Sequence, residues 1–103
     1  PADPAKLAAI HVPTLILWGE GDPLIQVSAA HKFAQAIPGA ALVTYPGVGH
    51  MPQLEAPDRS VADADAFLQR ALAEGQRVGI RATPTFFFNG KAYPGKIPDE
   101  LLQ

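Results

Sequence analysis

The sequence predicts an α/β fold built on a mixed four-stranded sheet. Residues 14–18 form an unbroken apolar run, which is typical of a strand covered on both faces. Apolar residues at helical spacing over 27–37 separate that run from a second strand at 41–45, so these two strands should be parallel. Asn89-Gly90 is a strong signal for a two-residue hairpin and should join two antiparallel strands.

The other elements follow from local signals. Asp58 is a good N-cap residue for a long amphipathic helix, and Gly75 is a typical helix terminator. In chain order, the remaining predicted elements are one short turn over 6–9, a helix from Asp58 to Gly75, strands over 84–88 and 91–93, and a final helix from Pro98. The predicted order is β-α-β-α-β-β-α.

Composition restricts the class of protein. A chain of 103 residues fits a single domain over 1–103, because two separate cores would each be too small. A net charge of -2 with 17% charged residues argues against binding to nucleic acid. The absence of cysteine excludes a disulfide or a thiol redox centre. No apolar run approaches the roughly 20 residues of a membrane span, and no signal peptide is visible, so we expect a soluble globular chain.

Two loops carry a resemblance to a known family. Residues 13–23 (PTLILWGEGDP) combine the first strand with a turn-rich loop, and residues 45–57 (YPGVGHMPQLEAP) follow the second strand. With the helix between them, residues 10–70 resemble the C-terminal part of an α/β-hydrolase. The resemblance implies that Asp22 is the acid and His50 the general base of a catalytic triad.

The nucleophile that the resemblance requires is missing from the sequence. The G-x-S-x-G motif is absent, and the serines are Ser28 in the first helix and Ser60 in the second. No segment resembling the family's oxyanion hole is visible either. We therefore expect Asp22 and His50 to form at most a residual, inactive dyad.

A second resemblance covers residues 71–103. The stretch 79–91 (GIRATPTFFFNGK) resembles the end of a thioredoxin-fold protein of the disulfide-oxidoreductase type. That resemblance implies a cis Thr83–Pro84 bond and a thioredoxin-like sheet of order 2-1-3-4, with the third strand antiparallel to the first. The Cys-x-x-Cys centre is absent, which excludes thiol exchange. The combination predicts a recombined, engineered chimera.

The predicted topology gathers several residues at one sheet edge. Asp22 and His50 follow parallel strands, so both should lie at the carboxyl edge, where open α/β sheets bind ligands. An antiparallel third strand would bring Pro84 and Thr83 to the same edge, as a possible cis-proline shelf. The alternative is that Asp22 only caps its loop, His50 is a solvated loop residue and Pro84 shapes a turn.

Other candidate sites are weak. His11 and His31 lack the spacing of metal ligands, so no metal and no cofactor are expected. The expected oligomeric state is a monomer, or a weak homodimer through an edge strand, with no nucleic-acid or membrane partner.

The favoured hypothesis is a chain without intrinsic catalytic function, whose property is stable folding. The alternatives are a weak esterase-like hydrolase that uses the Asp–His dyad and a peptide-binding module at the proline shelf.

Overall fold

A computed structural model describes residues 4–23, 25–78 and 84–94. The elements in chain order are α1 (Pro4–Ala8), β1 (Thr14–Gly19), α2 (Val27–Ala36), β2 (Ala41–Tyr45), α3 (Pro52–Glu55), α4 (Pro57–Val78), β3 (Thr85–Phe88) and β4 (Lys91–Pro94). None of the helices within these ranges is long and apolar enough to cross a membrane.

The sheet has the predicted strand order, β2-β1-β3-β4. β1 and β2 run parallel, because the helix α2 carries the chain back between them. β3 and β4 are antiparallel and are joined by Asn89 at φ 45° and Gly90 at φ 92°. Both turn residues have positive φ, which is the conformation that favours Asn-Gly in a two-residue hairpin. The α/β class, the strand order and the hairpin are thus confirmed.

The direction of β3 differs from the prediction. β3 pairs parallel to β1, with Thr14 opposite Thr85 and Leu17 opposite Phe88, whereas an antiparallel pair was expected. The 22 residues of α4 explain the difference. At about 33 Å the helix is long enough to return the chain to the edge where β1 and β2 begin. The thioredoxin-like topology is therefore wrong, because it requires β3 to run the other way.

Both faces of the sheet are covered by helices. Phe86 and Phe88 face one core cluster with Phe67 of α4 packed against it, and Phe87 faces the other, against Phe33 of α2. The Phe33 and Phe87 rings meet edge to face, with centroids 5.0 Å apart. All six residues of β1 are buried, as expected for an apolar strand without polar alternation.

Some element boundaries differ from the prediction. α1 begins at Pro4, because proline is favourable at the first helical position. α4 continues past Gly75 to Val78, since glycine inside a helix costs only about 1 kcal/mol relative to alanine. The Thr83–Pro84 peptide bond and the helix predicted from Pro98 lie outside the described residues.

Tyr45 ties the end of β2 to α4. Its buried hydroxyl donates to Asp63 Oδ2 at 2.5 Å, and the Arg59 guanidinium lies 5.3 Å from its ring centroid. Burial, with a further contribution from the hydrogen bond and the negative charge of Asp63, raises the pKa of Tyr45 far above its usual value. The folded protein therefore holds the Tyr45 proton more tightly than the unfolded chain does.

Because the pKa of Tyr45 is higher in the folded state than in the unfolded state, the protein should become less stable at alkaline pH. The unfolded tyrosine loses its proton near pH 10, so the stabilisation is complete below that pH and is lost as the pH rises towards the raised folded pKa. We expect the free energy of unfolding to fall by up to about 1.4 kcal/mol per pH unit above pH 10. Urea unfolding at pH 8 to 11 would measure it, with Tyr45→Phe as the control that lacks the phenol. Equal slopes for the two proteins would contradict the prediction.

Candidate functional site

The loops that follow β1 and β2 are joined by backbone hydrogen bonds. The Glu20 N–H donates to the Tyr45 carbonyl at 3.0 Å, and the Gly21 N–H donates to the Val48 carbonyl at 2.8 Å. Gly19 makes this approach possible, because a Cβ there would lie 1.9 Å from the Gly49 carbonyl oxygen. The two loops therefore form one unit at the carboxyl edge of the sheet.

Asp22 and His50 meet within this unit, as the parallel strands predict. His50 Nδ1 lies 2.7 Å from Asp22 Oδ2. The Asp22 side chain is fully buried, while 44% of the His50 side chain is exposed. Asp22 Oδ1 also accepts the Ile25 N–H at 3.1 Å, so the carboxylate caps its own loop as well. Capping and pairing with histidine, which were posed as alternatives, are both present.

The pairing determines what the imidazole ring can do. An ionised carboxylate only accepts hydrogen bonds, so His50 Nδ1 must carry the proton in the neutral ring. The lone pair then lies on Nε2, at the opposite edge of the ring. A ring held in this tautomer and partly open to solvent is able to act as a general base.

Glu55 holds the histidine loop from the other side. Its Oε1 accepts the Gly49 N–H at 2.9 Å and its Oε2 accepts the Met51 N–H at 3.2 Å. These residues are the two neighbours of His50 in the chain, so one carboxylate fixes the backbone on both sides of the ring. Sequence analysis had placed Glu55 in the histidine-loop motif without giving it a role.

Asn89 is a further part of the site that sequence analysis missed. Its buried side chain donates from Nδ2 to Asp22 Oδ2 at 2.8 Å and accepts the Gly19 N–H on Oδ1 at 2.7 Å. From the sequence alone, Asn89-Gly90 predicts only a turn. The parallel direction of β3 is what brings its last residues to the carboxyl edge.

The parallel direction of β3 also separates Pro84 from Asp22 and His50. Pro84 precedes the start of β3, and the neighbouring Thr85 N–H donates to the Pro13 carbonyl at the beginning of β1. The length of β1 places this edge about 17 Å from the acid loop. The predicted cluster of these residues is therefore not formed. Thr83 lies outside the described residues, and a binding role for the proline shelf stays a prediction.

The remaining candidate residues lie elsewhere. Ser60 is buried in α4 with its hydroxyl donating to the Pro52 carbonyl, and Ser28 is exposed on α2. His11 and His31 are exposed. In the part of the chain that the structure describes, no three His, Cys, Asp or Glu residues are placed to hold a metal ion.

Comparison with known proteins shows the family to which this arrangement belongs. Residues 3–57, which contain both Asp22 and His50, match the family model described as the alpha/beta hydrolase fold. The chain belongs to the α/β-hydrolase family. It is 34% identical over 71 residues to Lipase 1 of Psychrobacter immobilis, a match that covers 69% of this chain and 22% of that lipase. It is 36% identical over 62 residues to the pimeloyl-[acyl-carrier protein] methyl ester esterase of Nitrosomonas europaea, covering 60% of the chain and 25% of the esterase.

A solved structure gives the same result for the fold. The crystal structure of a "predicted CIB-like hydrolase" from Thermoplasma acidophilum superposes with a TM-score of 0.62 at 27% identity, covering 65% of this α/β-hydrolase chain and 32% of that one. The chain thus spans about a fifth to a quarter of the length of the curated relatives named above, and about a third of this structural neighbour.

These findings correct the interpretation of the chain as an engineered or de novo chimera with a thioredoxin-like part. The family model, the relatives and the neighbour all point to an α/β-hydrolase. The expectation of a chain without enzymatic function is also wrong, since the family and the relatives named here are hydrolases. That expectation rests on the lack of G-x-S-x-G. Because the chain spans so small a share of its relatives, that lack is no argument against activity.

Proposed function

We propose that this α/β-hydrolase chain supports ester hydrolysis of the lipase or esterase kind, with Asp22 and His50 as its acid–base pair. The observation that carries the proposal is the 2.7 Å contact between a fully buried carboxylate and a partly exposed imidazole. Both residues lie in the segment that matches the family model. The names of the relatives, a lipase and a methyl ester esterase, support an ester as the substrate class.

The reaction follows from the tautomer of His50. Nε2 removes a proton from the attacking hydroxyl group while the oxygen of that group forms a bond to the ester carbonyl carbon. The resulting imidazolium is stabilised by Asp22 through Nδ1–H. When the tetrahedral intermediate collapses, the carbon–alkoxy bond breaks and Nε2–H returns the proton to the leaving alcohol. Both histidine and carboxylate end the cycle in their starting states.

Water is the nucleophile that we assign to the reaction of the 103 residues alone. Ser60 is unsuitable, since its hydroxyl is buried and donates to a backbone carbonyl. A histidine acting on water without an activated serine gives weak catalysis. General-base catalysis by a positioned side chain raises a reaction rate by about 10²-fold at the lower end of its usual range, and we expect a rate enhancement of this size.

Hydrolysis of 4-nitrophenyl acetate by the 103-residue protein tests the proposal. We expect His50→Ala to lower the second-order rate constant by about 10²-fold, because the base paired with Asp22 is lost. His31→Ala is the matched control, since it removes an exposed histidine from α2 and leaves the pair intact. Any imidazole gives some background hydrolysis of an activated ester, and the control measures that background. Equal rates for the two variants would overturn the proposal.

A further inference from the structure

Asn89 is buried at the point where β3 leaves the sheet. Only 2% of the residue is exposed. Its N–H donates to the Leu17 carbonyl at 2.9 Å, which extends the parallel pairing of β3 with β1 by one residue. Its φ of 45° lies in the left-handed region, where asparagine is one of the few favoured residues besides glycine. The backbone therefore holds the amide in a fixed position beside the acid loop.

The partners of Asn89 determine the orientation of its amide. Oδ1 accepts the Gly19 N–H at 2.7 Å, and Nδ2 donates to Asp22 Oδ2 at 2.8 Å. The reversed amide would set two donors against each other at Gly19 and two acceptors against each other at Asp22. Since both sites are buried, the reversed orientation is excluded by its unsatisfied groups.

The amide and the histidine share one carboxylate oxygen. Asp22 Oδ2 lies 2.8 Å from Asn89 Nδ2 and 2.7 Å from His50 Nδ1. The Ile25 N–H occupies the other oxygen, Oδ1. Rotation of the carboxylate about its side-chain bonds would break the bonds from Asn89 and Ile25 together. Asn89 thereby fixes the oxygen that sets the tautomer and the direction of His50.

We propose that Asn89 is a positioning residue that holds Asp22 in the orientation required by His50. The inference rests on the proposed ester hydrolysis and adds a residue from outside the segment that carries the family match, which ends at residue 57. Asn89 is 67 residues from Asp22 in the chain. It touches the acid and not the reacting atoms, so it acts through the pair.

The test compares Asn89→Gly with the unchanged protein. Glycine accepts the positive φ and keeps the turn, but it removes the side-chain hydrogen bonds to Gly19 and to Asp22. We expect about a ten-fold fall in the rate constant for 4-nitrophenyl acetate, the size typical of losing a hydrogen bond to a charged group. Asn89→Asp is the second variant: it keeps the shape and the acceptor for the Gly19 N–H, and it replaces the donor group with a carboxylate oxygen that repels Asp22 Oδ2.

A spectroscopic readout separates this proposal from the proposed function. Long-range ¹H–¹⁵N spectra of the His50 ring report which nitrogen carries the proton, whether or not the protein hydrolyses esters. In the unchanged protein we expect the proton on Nδ1, and in both variants a mixture of the two tautomers. Unchanged ring signals and rates in a folded Asn89→Gly or Asn89→Asp protein would show that Asn89 serves the turn alone, which overturns the positioning role. Equal ester rates for His50→Ala and His31→Ala would instead overturn the proposed function.

Discussion

Replacing Gly19 with alanine is expected to destabilise the protein by at least about 3 kcal/mol, the upper range for overpacking a buried site. The new Cβ would lie 1.9 Å from the Gly49 carbonyl oxygen and 2.5 Å from that of Val48. Both neighbours are backbone atoms, so a change of side-chain rotamer offers no relief. The two loops would have to move apart, which would break the hydrogen bond from Gly21 N–H to the Val48 carbonyl and loosen the contact of Asp22 with His50.

Gly21→Ala is the matched control for this prediction. It makes the same chemical change two residues away, where the nearest atom to the new Cβ is the Val48 carbonyl oxygen at 3.2 Å. A shift of a few tenths of an ångström would accommodate it, so we expect a much smaller loss. Urea unfolding of both variants gives the comparison. Losses of similar size would contradict the view that Gly19 is required by the close approach of the two loops.

Replacing Asp22 with asparagine should lower ester hydrolysis to the level of the His50→Ala protein. The amide nitrogen of asparagine would meet donor groups on either side: Asn89 and His50 at the Oδ2 position, or the Ile25 N–H at the Oδ1 position. In the first orientation the imidazole must move its proton to Nε2, which leaves no lone pair directed at the nucleophile. In the second orientation Nδ1–H keeps an acceptor, but the negative charge that stabilises the imidazolium is gone, so in both cases we expect a loss of about 10²-fold.

The control for Asp22→Asn is Asp65→Asn, which removes the same charge from an exposed position on α4. Ester hydrolysis and ¹⁵N spectra of the His50 ring should be unchanged in this control. In Asp22→Asn the ring signals show which nitrogen carries the proton, and therefore which way the new amide has turned. An Asp22→Asn protein that retains its rate would show that the carboxylate does not direct the base, although the two side chains touch.

The acid–histidine contact follows from the sequence because it depends on local rules. A helix between two apolar strands makes them parallel, and parallel strands bring the loops that follow them to one edge. Asp22 and His50 lie in those loops, so the local rules place both at one edge, and the α/β-hydrolase resemblance singles them out as a pair. The Asn-Gly turn rests on a signal of similar range, whereas the strand order 2-1-3-4 was expected from the thioredoxin resemblance and pairs residues as far apart as Thr14 and Thr85.

The direction of β3 was mispredicted because a family resemblance replaced the rule that had worked for β2. α4 is a helix between two strands, and the crossover rule would have made β3 parallel. The wrong direction exchanged the ends of β3, so Pro84 was expected beside Asp22 and Asn89 was not. The bond from Asn89 to Asp22 itself depends on the packing of residues 67 positions apart, and no local pattern contains that information.

The sequence separations between the site residues also predict the order in which their contacts form during folding. Asp22 and His50 are 28 residues apart, on neighbouring strands linked by a single helix, whereas Asn89 reaches Asp22 across 67 residues. Closing the longer loop costs more chain entropy, and contacts of long range form slowly. We therefore expect Asp22 and His50 to come together first during folding, and the carboxylate to be fixed in its orientation only when β3 and β4 join the sheet.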